Sequence, residues 1–291
     1  MRLLIIVAAA LLTSCAASPA AAQALPPIST YESVHHPVYG TAGMVASQSA
    51  IASQVGADVL TAGGNAVDAA VAVGFALAVA VPRAGNLGGG GFMLVYQADS
   101  GATTAIDYRE MAPLGATRDM FLDADGNADP QLSRFSHKSA GVPGTVAGLY
   151  LAHQEFGRLP WARLVEPAVR LAREGIRVTR DYGEQTTFYK DRLCREESTC
   201  RYFLKEGAVP YSLGERLVQT DLAWALELIA TEGADAFYSG AIADRIVAEM
   251  QRGGGLIDKA SLAAYQPVKR EALRGEYRGY EIVTMPPPSS G

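Results

Sequence analysis

Between Asn65 and Pro82 the chain reads NAVDAAVAVGFALAVAVP, an apolar run broken by one charge, Asp68. A surface helix would show a polar stripe. Its absence predicts a helix buried on all sides. Asn65 is placed to cap this helix, with Asp68 three residues on to answer the cap. The run is slightly short for a bilayer span, carries Gly74 inside, and reads as a core helix. Ahead of it, Ala50 to Ala62 has helical character and stops at Gly63-Gly64. Alternation predicts strands at FMLVYQ (92–97) and TTAIDY (103–108), with the turn ADSG (98–101) making a hairpin. A short strand is also expected over Gly43 to Ser47. REMAPLGATRDMF then reads as a loop, and DADGNADP (123–130) as exposed turns.

After Gly141 the period changes to that of helices, each stopped by glycine. GTVAGLYLAHQEFG follows Pro143, which suits a first helical position. LPWARLVEPAVRLAREG comes next, then a third helix across Asp181 to Leu193, then LVQTDLAWALELIATEG and GAIADRIVAEMQRGGG. The tail PVKREALRGEYRGYEIVTM predicts two strands around Arg274-Gly275. No repeat or linker divides the chain. The expectation is one α+β domain, or part of one, with helices packed on a sheet.

Charge narrows the partners. Lys plus Arg total 25 against 30 Asp plus Glu, a net −5, and no basic run occurs. Nucleic-acid binders carry a basic stripe, so no nucleic acid is expected. Residues 1–24 read as a signal peptide: a basic start at Arg2, the apolar run Leu3 to Leu12, and the A-x-A pattern Ala22-Gln23-Ala24. Export to the periplasm follows. Leu12-Thr13-Ser14-Cys15 also matches a lipobox, so Cys15 is either a lipid anchor or a chance cysteine in a cleaved leader. Cys194 and Cys200 are the remaining cysteines. After export they are a local disulfide or two free thiols. His35, His36, His137 and His153 show no ligand spacing beside them, and no metal site is expected.

The stretch AGNLGGGGFMLVY (84–96) invites a phosphate-loop reading, but its order is wrong. A phosphate loop runs strand, glycines, helix, so that helix N–H groups meet the anion. Here a helix precedes the glycines and a strand follows, and no Lys-Ser or Lys-Thr is present. The glycines let the backbone cross tightly from a buried helix into a packed strand. Nucleophile elbows and zinc pairs are absent from the sequence, and Ser289 and Ser290 read as loop residues. Arg109, at a strand end in AIDYREMAP, is the residue best placed to hold a carboxylate. Asp107 and Glu110 are near enough in sequence that an internal ion pair is the other reading.

Several stretches then combine. GGNAVDAAVAVGFALAVAVPRAGNLGGGGFMLVY, AIDYREMAP, ATRDMFLD, GVPGTVAGL, GGGLI and YRGYEIVTMPPPSSG, in this order, closely resemble gamma-glutamyltransferases, also called glutathione hydrolases, and above all the exported bacterial ones. The resemblance runs from about Met44 to Gly291. It implies an N-terminal-nucleophile hydrolase with a four-layer αββα sandwich, made as one precursor that cuts itself into large and small subunits. It implies an N-terminal threonine of the small subunit that takes the gamma-glutamyl group of glutathione or another donor as an acyl-enzyme, its own α-amine serving as base. Water, or an amino acid or peptide acceptor, resolves that intermediate, and no cofactor is needed. On the matched motif, Arg109 binds the donor's α-carboxylate. Residues 25–291 correspond to most of a large subunit, incomplete at its C-terminus. The nucleophile is expected beyond them, since Thr103-Thr104 lie inside a strand. The Cys194–Cys200 pair is outside the matched motifs. A related acylase, for cephalosporin side chains or poly-gamma-glutamate, and an inactive truncated binding module are the alternatives.

Overall fold

The structure, a computed structural model, describes residues 37–290. The leader run, the Ala22-Gln23-Ala24 pattern and Cys15 lie outside the described residues. Helix α1 (Ala50–Thr61) begins where the Ser49 hydroxyl accepts the Ala52 N–H, and ends ahead of Gly63, which takes the positive φ of +91°. Helix α2 (Ala66–Ala80) is buried around most of its surface, but not on all sides as its sequence predicts: Ala66 and Ala70 are exposed and Gly74 and Leu77 half-buried along one stripe. Its capping box is complete: Asn65 Oδ1 accepts from Asp68 N and Asp68 Oδ2 accepts from Asn65 N, both at 2.9 Å. Asp68 is wholly buried and also accepts from the backbone N–H groups of Arg158 and Leu159. The residue that starts the central helix therefore also fixes a turn ninety positions later.

Strands β1 (Phe92–Gln97) and β2 (Ala102–Asp107) form the expected hairpin, with Phe92 opposite Asp107. After a short helix α3 (Pro130–Phe135) come α4 (Thr145–Phe156) and α5 (Trp161–Glu174). With α1 they surround α2. The two-residue strands β3 (Ile176–Arg177) and β4 (Arg216–Leu217) pair with each other, flanking α6 (Arg180–Phe188), α7 (Lys190–Leu193) and α8 (Glu197–Phe203). Helix α9 (Thr220–Glu232) packs on α5, and α10 (Asp235–Tyr238), α11 (Ala241–Gly253) and α12 (Lys259–Ala263) follow.

The tail then returns to the sheet. Strand β5 (Val268–Glu271) pairs antiparallel with β2, giving the order β1-β2-β5. Strands β6 (Leu273–Tyr277) and β7 (Tyr280–Thr284) make a separate hairpin. Side chains alternate across a pleated sheet. Met93, Val95 and Ile106 face the helical core, while Phe92 and Ala105 meet Ala272, Val283 and Met285 on the other face. Val283 of β7, with Ala272 and Met285 at the two ends of that hairpin, packs on the second face beside Phe92 and Ala105, while Leu94 and Tyr96 of the same face stay exposed.

Four local expectations change. Gly43 to Ser47 forms no strand: the segment stays irregular and packs Val45 against the helical core. Pro143 does not open α4, because Gly144 caps it and the Gly144 and Thr145 N–H groups both donate to Gly89 O. The helix expected over Asp181 to Leu193 is two helices meeting at Tyr189. The tail holds three strands, and its hairpin turns at Arg278-Gly279, where φ is 52° and 81°, while Arg274 and Gly275 sit inside β6. Two successive positive φ values suit the tight turn of a twisted hairpin.

Candidate functional site

The site is built outward from the end of β2. The ladder continues one pair past the strand: Tyr108 N donates to Gly91 O at 3.0 Å and Gly91 N to Tyr108 O at 3.2 Å. Tyr108 turns into the helical layer. A Cβ on Gly148 of α4 would run into its ring, and one on Gly91 would stand 2.8 Å from Cε2. A Cβ on Gly90 would fall 2.5 Å from Tyr108 O and 2.8 Å from Glu110 N. The glycine run thus lets the backbone pass directly beneath residues 108–110, a close approach that only glycine permits. Burial pushes the Tyr108 phenol up to about 12. Its hydroxyl stays protonated and faces Phe92 O at 3.4 Å.

Both main-chain polar groups of Arg109 are held by side chains. Asp107 Oδ1 accepts its N–H at 3.0 Å, and the Tyr265 hydroxyl donates to its carbonyl at 2.9 Å. Beyond it, Met111 and Val142 exchange backbone hydrogen bonds of 3.2 and 2.7 Å, and Leu114 N donates to Ser261 Oγ of α12 at 3.1 Å. The loop is anchored on two sides along its length.

The guanidinium is left open. Arg109 is exposed, and among the described residues its side chain makes one hydrogen bond, from Nη1 to Pro288 O at 3.2 Å. Neither Asp107 nor Glu110 forms an ion pair with it. Asp107, 7% exposed, instead accepts from Arg270 Nε of β5 at 2.7 Å. A side chain with this shape and charge is suited to bidentate capture of a carboxylate. Two residues of this network left no sequence mark, Tyr265 on the Arg109 carbonyl and Arg270 on Asp107, whereas Pro288 lies in the matched stretch YRGYEIVTMPPPSSG. Ser289 belongs to a turn there, its N–H donating to Pro286 O.

Thr103 and Thr104 lie inside β2. The sulfurs of Cys194 and Cys200 stand at bonding distance, 2.09 Å, with Cα atoms 4.4 Å apart, between α7 and α8. Arg192 and Arg195 of that region cover the Phe135 ring of α3 from 4.9 and 5.1 Å. None of these touches Arg109. Among the described residues no three His, Cys, Asp or Glu side chains gather as a metal site.

The sequence profile of the family described as Gamma-glutamyltranspeptidase matches residues 52–291. The chain is 53% identical over 286 residues to the glutathione hydrolase proenzyme of Escherichia coli (strain K12), covering 97% of this chain and 49% of that protein. It is 46% identical over 256 residues to the glutathione hydrolase proenzyme of Pseudomonas sp. (strain A14), covering 88% and 44%. The fold superposes on the crystal structure of Helicobacter pylori gamma-glutamyltranspeptidase with a TM-score of 0.86 at 44% identity, covering 87% of this chain and 73% of that one. The chain spans about half the length of the curated relatives it matches.

Proposed function

The chain belongs to the gamma-glutamyltranspeptidase family, and from that premise we propose that it supplies the donor-carboxylate site of a gamma-glutamyl-transferring or glutathione-hydrolysing enzyme. Arg109 holds the α-carboxylate of glutathione or another gamma-glutamyl donor. A small subunit from the same precursor supplies an N-terminal threonine. Its hydroxyl attacks the γ-carbonyl, the amide C–N bond breaks, and the proton taken by the threonine α-amine passes to the departing amine. Water or an amino acid or peptide acceptor then releases the glutamyl group and regenerates the hydroxyl.

The observation that supports this reading is an exposed guanidinium without an acidic partner on a loop whose backbone is fixed at both polar groups. In the full precursor, Arg109→Ala should raise KM for gamma-glutamyl-p-nitroanilide by about thirtyfold or more, since a charged contact of roughly 2–3 kcal/mol is lost. An unchanged KM removes Arg109 from the donor site. No hydrolysis by the unmodified precursor removes the activity altogether. Rates on a cephalosporin side chain and on poly-gamma-glutamate, set beside this donor, separate the related acylases.

We also propose export to the periplasm through residues 1–24, on the pattern of Arg2, Leu3–Leu12 and Ala22-Gln23-Ala24. Mass spectrometry of the mature N-terminus decides between cleavage after Ala24 and lipidation at Cys15.

A further inference from the structure

Asp107 presents a problem to the site it helps build. Residues two apart on an extended chain share a face, and the ladder of β2 continues through Tyr108. Asp107 and Arg109 therefore begin on the same side of the sheet. A carboxylate there is the natural internal partner for the Arg109 guanidinium, and it would compete with any carboxylate arriving from solution. In the structure it does not compete, because both of its oxygens are taken: Oδ1 by the Arg109 N–H and Oδ2 by Arg270 Nε.

Arg270 reaches this position by register. It lies opposite Ala105, while Asp107 lies opposite Val268. Arg270 and Asp107 are thus diagonal neighbours on one face, within reach of a long side chain. The Asp107 side chain is 8% exposed against 37% for Arg270, so the carboxylate is sealed and its counter-charge comes from the strand edge. Without Arg270, a buried carboxylate would lack a cation, and the nearest flexible one in sequence is Arg109.

We propose that Arg270 is a positioning residue for the donor site: by occupying Asp107 it keeps the Arg109 guanidinium free for the substrate carboxylate. This rests on the reading of Arg109 given above. Arg270 touches no substrate.

The test uses the full precursor and two donors, gamma-glutamyl-p-nitroanilide and 4-aminobutanoyl-p-nitroanilide, which lacks the α-carboxylate. Arg270→Met should raise KM for the first about tenfold with kcat retained, and leave kcat/KM for the second within about twofold. Arg270→Lys should recover most of the loss. Adding Asp107→Asn to Arg270→Met should also recover it, since the amide keeps an acceptor for the Arg109 N–H and no longer competes as an anion. A purely structural pair would not recover, because both variants break it. An unchanged KM in Arg270→Met, or a double variant no better than the single, overturns the proposal. If Arg270→Met does not fold, Asp107→Asn is compared with the double variant: equal KM values support the proposal and a higher KM in the double overturns it. Arg109→Ala run alongside separates the two readings. If it leaves KM unchanged, the donor-site reading fails. If it raises KM while Arg270→Met does not, only this inference fails.

Discussion

The Tyr265 hydroxyl donates to the main-chain carbonyl of Arg109 at 2.9 Å across 156 positions of sequence. The Tyr265 ring stacks on Tyr238, with centroids 5.5 Å apart and planes 10° from parallel. The Tyr238 hydroxyl donates to Pro143 O at 2.8 Å and accepts the Ala147 N–H at 3.3 Å. Burial pushes both phenols up, so both remain protonated donors through the neutral and alkaline range.

Tyr265→Phe keeps the stack and removes the hydrogen bond. A stability loss of about 1 kcal/mol is expected in the full precursor, read by denaturant unfolding. KM for gamma-glutamyl-p-nitroanilide should rise severalfold with kcat preserved. A loss confined to stability would show that Arg109 keeps its place without this bond.

Gly148→Ala is expected to be costlier than its single methyl suggests. The added Cβ would enter the Tyr108 ring, which is also walled in by Gly91. Overpacking of this kind costs about 1–3 kcal/mol. Lower thermal stability together with a raised KM is the expected pair of results, because Tyr108 and Arg109 are adjacent. Wild-type stability would mean that the ring has room to move.

Much of this was legible in the sequence, and the division is physical. The continuous apolar run from Ala66 and the Asn65–Asp68 box carry their own signal, since a helix cap and a buried helix are local. The β1–β2 hairpin is local as well. The β5 return is different. Nothing periodic in VKRE marks it as the partner of β2, so Arg270 and Tyr265 could not be linked to Arg109 in advance. The misplaced tail turn has a simpler cause. LRGEYRGYE offers two Arg-Gly pairs, and only the five cross-strand pairs of β6 and β7 select the second. Asp107 and Glu110 were candidate ion-pair partners of Arg109 by proximity alone. Arg270 took that place for Asp107 from across the sheet.

Asp68→Ala should be among the most damaging substitutions away from the site. It would leave the N–H groups of Asn65, Arg158 and Leu159 without the acceptor that a wholly buried carboxylate gives them. A loss of about 3 kcal/mol or more is expected, with roughly half recovered by Asp68→Asn, which keeps one acceptor oxygen. A loss under about 1 kcal/mol by denaturant unfolding would contradict the role given to the buried carboxylate.

Acid should act on a distant cluster. Arg252 first, and His137 second, hold the Glu249 carboxyl down to about 2 from an ordinary 4.5. Arg252 Nε donates to it at 2.9 Å and His137 Nε2 lies 3.0 Å away. A folded value below the unfolded one stabilises the protein above the unfolded value, and that stability fades as pH falls from about 4.5 toward 2. The Glu249 side chain is 41% exposed, so solvent screening keeps the contribution small. The stability gap between the parent and Glu249→Gln should narrow over that interval when followed by urea unfolding, and a gap independent of pH would refute the assignment.

The strand order β1-β2-β5 has a consequence in time. The hairpin that carries Arg109 closes from neighbouring residues, the kind of contact that forms early. The groups that hold Arg109 come 156 residues later for Tyr265, and the partner of Asp107 comes 163 residues after it. A nascent chain can therefore complete its hairpin and still leave Arg109 without these anchors until Tyr265 and β5 emerge. The final placement of Arg109 waits on the most distant pairing in the sheet, and a chain stalled before β5 would carry an arginine whose neighbour Asp107 still lacks its cation.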